Sequence, residues 1–299
     1  MMKVLVTGGS GFLAAWVMRR LLARGIDVRA FDVRRDDTLL NTIAGLYAGR
    51  VEWSVGDIAS AADVAGAMRG CTDVIHLAGV LTPTCSSHPV RGAQINLIGT
   101  LNVFDAAREA HFKQVLYASS AGVFGPDDGI FPRPETHYGA FKLACEGAAR
   151  AYFNDTGLSS IGYRPLVIYG AGRESGSSAG PSLACRAAAL SCRYTIPFTG
   201  STGLIFADDV AAAYEAALLN PVSGARVFTL AGDITPMHTV IDILVGMSPE
   251  ARIDAEGPPL PIATSFPIDE ELARRFPHLQ KTPLREGLRQ TVDFYRSHS

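Results

Sequence analysis

The hydrophobic pattern at the start of the chain predicts a strand, a tight turn, a helix and a second strand. Lys3–Thr7 is an apolar, β-branched run of the kind found in buried strands. Beyond it, Leu13, Val17 and Leu21 recur at helical spacing, with arginines on the opposite face. Gly25 ends this helix, and Asp27–Asp32 reads as a strand that finishes on an acid.

The same alternation continues along the chain. Apolar runs at 51–58, 73–80 and Gln114–Ala118 predict three more strands, and the segments 61–69 and 89–110 are interpreted as connecting helices. Strands that alternate with helices are typical of a parallel sheet with helices on its faces. We therefore expect an α/β fold.

Composition and charge exclude several classes of protein. The 299 residues are 47% hydrophobic and 19% charged, which indicates a globular chain, and a net charge of −2 provides no basic field for nucleic acid. No apolar run is long enough to span a bilayer, and the first residues lead directly into a strand instead of a cleavable signal. We expect a cytoplasmic protein that binds neither nucleic acid nor membrane.

The potential metal ligands lack the spacing of a metal site. Five scattered cysteines are expected to be buried or partly buried thiols. The Asp208-Asp209 pair is interpreted as a helix N-cap and a first-turn acid. We predict no metal site.

The turn after the first strand has the spacing of a dinucleotide-binding loop. Gly8 lets the backbone turn, Gly11 lets it approach a pyrophosphate, and Ala14 keeps the helix close to the sheet. Asp32, at the end of the second strand, is placed to accept a hydrogen bond from an adenosine ribose and would repel a 2′-phosphate. NAD is therefore favoured over NADP, although Arg34 or Arg35 would pair with such a phosphate.

Later strand ends supply further candidate residues. Asp57 and Ile58 end the third strand, where an adenine ring would lie, and the fourth strand leads into small residues at 77–79 that let a flat cofactor pass the backbone. His76, within an apolar run, is predicted to be a hydrogen-bonded core residue. Asn96 is predicted to brace the neighbouring catalytic loop, with an exposed surface position as the alternative.

Tyr138 and Lys142 are four residues apart, so on a helix they lie on one face. A fixed positive charge near a phenol favours the phenolate, which makes tyrosine useful as a general acid or base. Ser120 follows the fifth strand and is expected to point into the crevice where such sheets bind ligands. Ser119 is interpreted as a turn hydroxyl.

As a set, these motifs resemble the extended short-chain dehydrogenases/reductases, also called the NAD-dependent epimerase/dehydratase family. The resemblance is strong over about the first 170 residues and continues more weakly through 203–211 and 282–288. The matching runs are 7–13 (TGGSGFL), Asp32, 57–58 (DI), 77–79 (LAG), 119–125 (SSAGVFG), 138–142 (YGAFK) and 164–170 (RPLVIYG).

The resemblance implies roles for individual residues. Tyr138 would exchange the proton of a substrate hydroxyl, Ser120 would orient that oxygen, and Lys142 would favour the phenolate while holding the nicotinamide ribose. Hydride would pass between NAD and the substrate carbon. The implied cofactor-binding residues are Gly8, Ser10, Gly11, Phe12, Leu13, Asp32, Asp57, Ile58, Leu77, Ala78, Gly79, Tyr138 and Lys142.

Two departures from the family pattern bear on the substrate. Many sugar-nucleotide members have an asparagine where this chain has Val167, which cannot donate a hydrogen bond. The C-terminal region also lacks the arginine-rich signature that grips a nucleotide. These absences favour a dehydrogenase for a small sugar, sugar acid or hydroxy acid. A nucleotide-sugar epimerase or dehydratase with tightly bound NAD, and a non-enzymatic NAD-binding regulator, remain alternatives.

Candidate substrate-binding residues come from the loops. The Gly- and Ser-rich segment 170–181 lines the substrate pocket by resemblance, and Arg173 within it is a candidate to bind a carboxylate or phosphate. Thr82, Ser86, His88 and Ser120 are the other candidates.

The resemblance also implies how the fold is divided. We predict a doubly wound parallel (Rossmann) domain over 1–164 and about 204–231, with a smaller substrate-binding lobe over 165–203 and 233–299. A homodimer paired through the helices of Asn96 and Tyr138 is expected.

Overall fold

A seven-stranded parallel sheet forms the centre of the computed structural model, which describes residues 2–126, 129–266 and 269–298. The sheet strands are β1 (Lys3–Thr7), β2 (Asp27–Asp32), β3 (Glu52–Val55), β4 (Asp73–His76), β5 (Gln114–Ala118), β6 (Ser159–Pro165) and β10 (Ala225–Leu230). They lie in the order β10-β6-β5-β4-β1-β2-β3, and every neighbouring pair is parallel. The predicted doubly wound α/β fold is confirmed, because the order 3-2-1-4-5-6 is that of dinucleotide-binding sheets.

Helices cover both faces of this sheet. The α-helices within the described ranges are α1 (Phe12–Ala23), α2 (Thr38–Ala44), α3 (Ala61–Met68), α4 (Thr82–Ser87), α5 (Pro89–Ala93), α6 (Gly99–Glu109), α7 (His137–Thr156), α8 (Gly180–Ala189), α9 (Ala207–Leu219), α10 (Met237–Met247), α11 (Glu270–Arg275) and α12 (Leu284–Ser297). Alternate residues of β1 serve opposite faces. Val4 and Val6 belong to the hydrophobic cluster that includes α1 and α9, whereas Leu5 belongs to the cluster that includes α3, α6 and α7.

Two small sheets lie in the C-terminal part of the chain. One has the order β11-β9-β7, formed by β7 (Val167–Tyr169), β9 (Ser201–Phe206) and β11 (Asp233–Pro236), and the other pairs β8 (Arg193–Ile196) with β12 (Arg252–Ala255). The proposed division into two lobes stays a prediction, as does the homodimer.

Two predicted strands are shorter than expected. β3 ends at Val55 and β4 ends at His76. Beyond β4, the Leu77 N–H donates to the carbonyl and hydroxyl oxygens of Thr7, and the Ala78 N–H donates to the same hydroxyl. The loop after each strand therefore begins earlier than predicted, at the carboxyl edge of the sheet.

The helix predicted over 89–110 contains a π-helical turn at Gln94–Ile98. Asn96 lies in this turn and is fully buried. Its Oδ1 accepts from Val80 N–H at 3.1 Å, and its Nδ2 donates to the Val80 carbonyl at 3.0 Å. Asn96 therefore braces the loop after β4, and the prediction that it braces the loop of Ser120 is wrong.

Asp208 and Asp209 have structural partners, and most of the cysteines are buried. Phe206 is the N-cap of α9, so the predicted cap role for Asp208 or Asp209 is wrong, but both acids lie in the first turn as predicted. Asp208 pairs with Arg20 at 2.8 Å, and Asp209 accepts from Thr282. Four cysteines are buried, whereas Cys192 is exposed, contrary to the prediction.

Among the described helices, none combines the length and apolar character required to cross a bilayer. Within the described ranges, no three His, Cys, Asp or Glu side chains are grouped so as to hold a metal ion.

His76 is a hydrogen-bonded core residue, as predicted. Its Nδ1 lies 2.7 Å from Thr7 Oγ1 and its Nε2 lies 3.0 Å from Thr100 Oγ1. Burial, aided by the charge of Lys142, lowers the pKa of His76 to about 3. The ring is therefore neutral in the folded protein at any pH near neutrality.

Acidification is expected to destabilise the protein through His76. In the unfolded chain histidine has a pKa of about 6.5, so below that pH the unfolded state binds a proton that the folded state does not. Between pH 7 and 5.5 this residue should lower the free energy of unfolding by about 1 kcal/mol. Urea unfolding at both pH values measures it. The His76→Gln variant should show a smaller pH dependence, and identical behaviour in both proteins would contradict the assignment.

Candidate active site

Two cavities lie at the carboxyl edge of the sheet and share one loop. The first, the glycine cavity, has a volume of about 220 Å³, and the second, the tyrosine cavity, about 310 Å³. The loop after β4 borders both, with residues 77–80 lining the glycine cavity and Leu81 and Thr82 lining the other. This loop is the one that Asn96 braces.

The glycine cavity is built on the turn between β1 and α1. Gly8 has φ +71°, and a Cβ there would lie 2.9 Å from the backbone nitrogen of Ala78, so the turn requires glycine. Gly11 is the N-cap of α1 and provides no side chain to cap it. The N–H groups and positive dipole end of the helix remain available to an anion. Ser10, Phe12 and Leu13 lie in the same turn and in the first turn of α1.

Acidic side chains line the same cavity. The Asp32 carboxylate accepts from Ser10 N–H at 3.0 Å and Val33 N–H at 2.7 Å. Asp57 accepts from Ala59 N–H and from Arg91, and these two donors hold the pKa of its carboxyl below the usual range. Both acids are therefore fixed in position.

Arg34 and Arg35 have acidic partners of their own. Arg34 lies 3.6 Å from Asp36, and Arg35 lies 2.8 Å from Asp37. The pairing partly satisfies both cations, so the structure gives no preference for a 2′-phosphate here.

The residues of the glycine cavity fit a dinucleotide. Its lining combines glycine backbone, an acid at the end of β2 and apolar side chains, all at the carboxyl edge of a parallel sheet. The lining residues are Gly8, Gly11, Phe31, Asp32, Val33, Gly56, Asp57, Ile58, Leu77, Ala78, Gly79, Val80, Arg91 and Ile95. Six of these were not among the cofactor-binding residues predicted from the sequence: Phe31, Val33, Gly56, Val80, Arg91 and Ile95.

The tyrosine cavity is positioned by the start of α7. Thr136 is the N-cap, and its Oγ1 accepts from Gly139 N–H at 3.0 Å, which places Tyr138 in the first helical turn. A Cβ on Gly139 would lie only 2.0 Å from the carbonyl oxygen of Gly122. Glycine therefore lets the helix approach the loop that carries Ser120.

This approach brings Ser120 and Tyr138 together. A Cβ on Gly122 would lie 3.3 Å from Ser120 Oγ and 3.7 Å from Cδ1 of the Tyr138 ring. Both side chains line the tyrosine cavity. Ser120 Oγ also accepts from Gly122 N–H at 3.0 Å, which fixes the hydroxyl at the end of the strand.

Lys142 lies close to one lining residue of each cavity, Tyr138 and Gly79. Its side chain is buried, and Nζ donates to the Ala118 carbonyl at 2.6 Å. Nζ lies 5.8 Å from the centre of the Tyr138 ring and 3.8 Å from the point where a Cβ on Gly79 would lie. A single ammonium group is therefore close to the phenol and to the wall of the glycine cavity.

Ser119 has a different role from the turn hydroxyl that was predicted. It is buried, and its Oγ donates to Glu146 at 2.5 Å. Glu146 is fully buried and also pairs with both Nε and Nη2 of Arg164. The loop that carries Ser120 is thus attached to a buried ion pair behind the site.

The candidate substrate residues are only partly brought together. Thr82, Ser120 and Arg173 line the tyrosine cavity. Ser86 and His88 are exposed on the α4 side of the loop and, in the described part of the chain, line neither cavity.

Sequence reasoning missed two parts of the tyrosine cavity. Glu135 lies at the wall just before the N-cap of α7, and an apolar segment, Leu260-Pro261-Ile262, closes the cavity from the C-terminal region. Glu135 lies just before the helix of Tyr138 in the sequence, and this position could have indicated that it borders the site. The apolar segment has no local pattern that indicates a pocket.

Comparison with known proteins agrees with this geometry. The model of the NAD dependent epimerase/dehydratase family matches residues 4–231. The chain belongs to this family. The family resemblance inferred from the sequence is therefore confirmed.

Three individual proteins of known function or structure are similar to this chain. A UDP-glucose 4-epimerase of Mycolicibacterium smegmatis is 28% identical over the full length of both chains. A mouse 3 beta-hydroxysteroid dehydrogenase type 7 is 32% identical, but the match covers 57% of this chain and 51% of that relative. The crystal structure of a Thermus thermophilus UDP-glucose 4-epimerase complex with NAD covers all of both chains with TM-score 0.83 and 25% identity. These relatives are enzymes, and NAD as the cofactor is supported.

Proposed function

We propose that this family member is an NAD-dependent dehydrogenase that oxidises a hydroxyl-bearing carbon of a small substrate, or reduces the corresponding carbonyl. The observation that most directly supports this proposal is that Ser120 and Tyr138 line one cavity next to the glycine cavity. The ammonium group of Lys142 lies close to Tyr138 and to Gly79 of the glycine cavity. When bound, NAD would supply the hydride acceptor. Asp32 favours NAD over NADP through repulsion of a 2′-phosphate.

The side chains of the site divide the work of proton transfer. In the direction of oxidation, the Tyr138 phenolate takes the proton of the substrate hydroxyl while Ser120 Oγ holds the same oxygen. The Lys142 ammonium stabilises the phenolate by its charge. Substrate alcohol and NAD⁺ thus give the carbonyl compound, NADH and one proton.

The tyrosine cavity favours a small substrate. Its volume of about 310 Å³ is at the lower end of the roughly 300–1,000 Å³ typical of ligand pockets. Val167 and the segment Leu260-Pro261-Ile262 contribute apolar walls, which offer no hydrogen bonds to a nucleoside diphosphate. A free sugar, sugar acid or hydroxy acid matches these dimensions better.

A nucleotide-sugar epimerase is the second candidate. It is favoured by the match to the mycobacterial UDP-glucose 4-epimerase, which extends over the whole length of both chains. In that case the same serine and tyrosine would act on a sugar carbon without net oxidation, and NAD would stay bound through the cycle.

An absorbance assay separates the two candidates. Purified protein with NAD and a panel of sugars, sugar acids and hydroxy acids should form NADH with at least one of them, and less with NADP. If the protein copurifies with NAD, forms no NADH with the panel and is stabilised by UDP-glucose against heat, the epimerase is correct and the dehydrogenase is wrong.

A further inference from the structure

The guanidinium group of Arg173 is a largely buried cation that has no acidic partner among the described residues. Within the described residues no carboxylate lies within 4.0 Å of it, and its Nε is buried without a hydrogen-bond partner. Nη2 has only a weak contact with Ser178 Oγ at 3.4 Å, and the group lies 5.7 Å from the centre of the Phe12 ring. Burial lowers the pKa of Arg173, an effect that the nearby Tyr138 opposes.

An unpaired buried charge is costly unless a ligand satisfies it. Arginine stays protonated in proteins and offers a planar fork that matches a carboxylate or phosphate. Arg173 lines the same cavity as Ser120 and Tyr138. The missing anion would therefore lie beside the proposed reaction centre.

The charge of the cavity is suited to one anionic group. Arg173 is the single cationic side chain among the described lining residues, and Glu135, which is exposed, is the single acid. A diphosphate carries more charge than one guanidinium neutralises. The apolar segment Leu260-Pro261-Ile262 forms another part of the wall, and it supplies no further cation.

We propose that Arg173 binds a carboxylate of the substrate, so that the substrate is a small hydroxy acid with its hydroxyl at Ser120 and Tyr138. The proposal rests on the function proposed above and specifies its substrate class. The hydroxyls of Ser177, Ser178 and Thr82, in the same lining, are placed to donate further hydrogen bonds to the carboxylate or to substrate hydroxyls.

Matched acids and alcohols test the proposal in the presence of saturating NAD. The probes are gluconate against sorbitol, glycerate against glycerol, and 3-hydroxybutyrate against butane-1,3-diol, with glucose 6-phosphate and UDP-glucose as competing anions. We expect at least one acid to raise the melting temperature while its alcohol does not. In Arg173→Gln the dissociation constant of that acid should rise by about 10–100-fold, the usual effect of losing a hydrogen bond to a charged group.

Two further variants separate charge recognition from folding. Arg173→Lys keeps the charge but loses the fork, so it should bind the acid with an intermediate affinity. Arg193→Gln removes an arginine that is 75% exposed and 3.9 Å from Asp254, and it should bind as the wild type does. The dissociation constant of NAD should be the same in all four proteins.

Several results would overturn the assignment. It is wrong if no acid is preferred over its alcohol, or if Arg173→Gln weakens NAD as much as the acid, because Arg173 would then hold the cofactor. Stronger, Arg173-dependent stabilisation by UDP-glucose or glucose 6-phosphate would identify a phosphate site instead.

The outcome for the anion site can be told apart from that for the proposed function. Oxidation of an uncharged alcohol, unaffected by Arg173→Gln, would keep the dehydrogenase and remove the carboxylate site. Arg173-dependent binding of an acid without NADH formation would keep the carboxylate site and remove the dehydrogenase.

Discussion

Tyr138→Phe is expected to lower turnover by about 10²–10⁴-fold, the range typical of losing a general acid or base. The phenylalanine ring keeps its place against Gly122 and Ser120, but there is no hydroxyl left to exchange a proton with the substrate. NAD binding should change little, since the walls of the glycine cavity are intact. The measurement is NADH formation with the best substrate of the panel, together with NAD titration of the same variant.

Tyr152→Phe is the matched control for this prediction. Tyr152 lies on the same helix, α7, and donates a long hydrogen bond of 3.4 Å to the Leu101 carbonyl, away from both cavities. Removal of its hydroxyl should leave turnover nearly unchanged. If Tyr138→Phe retains turnover equal to that of Tyr152→Phe, proton transfer does not pass through Tyr138.

The parts of the site that follow from local sequence were predictable. Gly8 and Gly11 follow a strand and open a helix, and Asp32 ends the next strand. Because the carboxyl ends of parallel strands lie at one edge of the sheet, the order of these elements indicates that the three residues are close together. Tyr138 and Lys142 share a helix face by spacing. In each case a few consecutive residues determine the geometry.

Other parts depend on distant packing and had no local signal. Leu260-Pro261-Ile262 reaches the tyrosine cavity only through the arrangement of the C-terminal elements. Arg91 meets Asp57 across 34 positions of sequence. The π-helical turn, likewise, redirects Asn96 to the loop after β4, which a regular helical pattern does not indicate.

The role of Glu146 was only partly predictable from the sequence. It follows Lys142 by four residues, as Lys142 follows Tyr138, so its position on the same helix face was available from the sequence. What the sequence did not contain is the partner, because Arg164 lies on β6 and Ser119 follows β5. The burial of the carboxylate becomes understandable only when those two strands are adjacent.

Glu146→Ala is expected to lower the free energy of unfolding by roughly 3–5 kcal/mol, the usual cost of removing one partner of a buried ion pair. The side chain of Arg164 is 16% exposed and would keep its charge without an acid, and Ser119 would lose its acceptor. Urea unfolding measures the change. A loss below about 1 kcal/mol, the range of surface ion pairs, would contradict the buried pairing.

The double variant Glu146→Leu with Arg164→Met separates stability from catalysis. Replacing both charges with apolar side chains is often neutral for stability, so the double variant should be more stable than either single variant. Turnover should stay reduced, because Ser119 still lacks the carboxylate that anchors the loop of Ser120. If turnover recovers together with stability, the ion pair only supports the fold. If turnover stays low while stability returns, Glu146 acts as a positioning residue for Ser120.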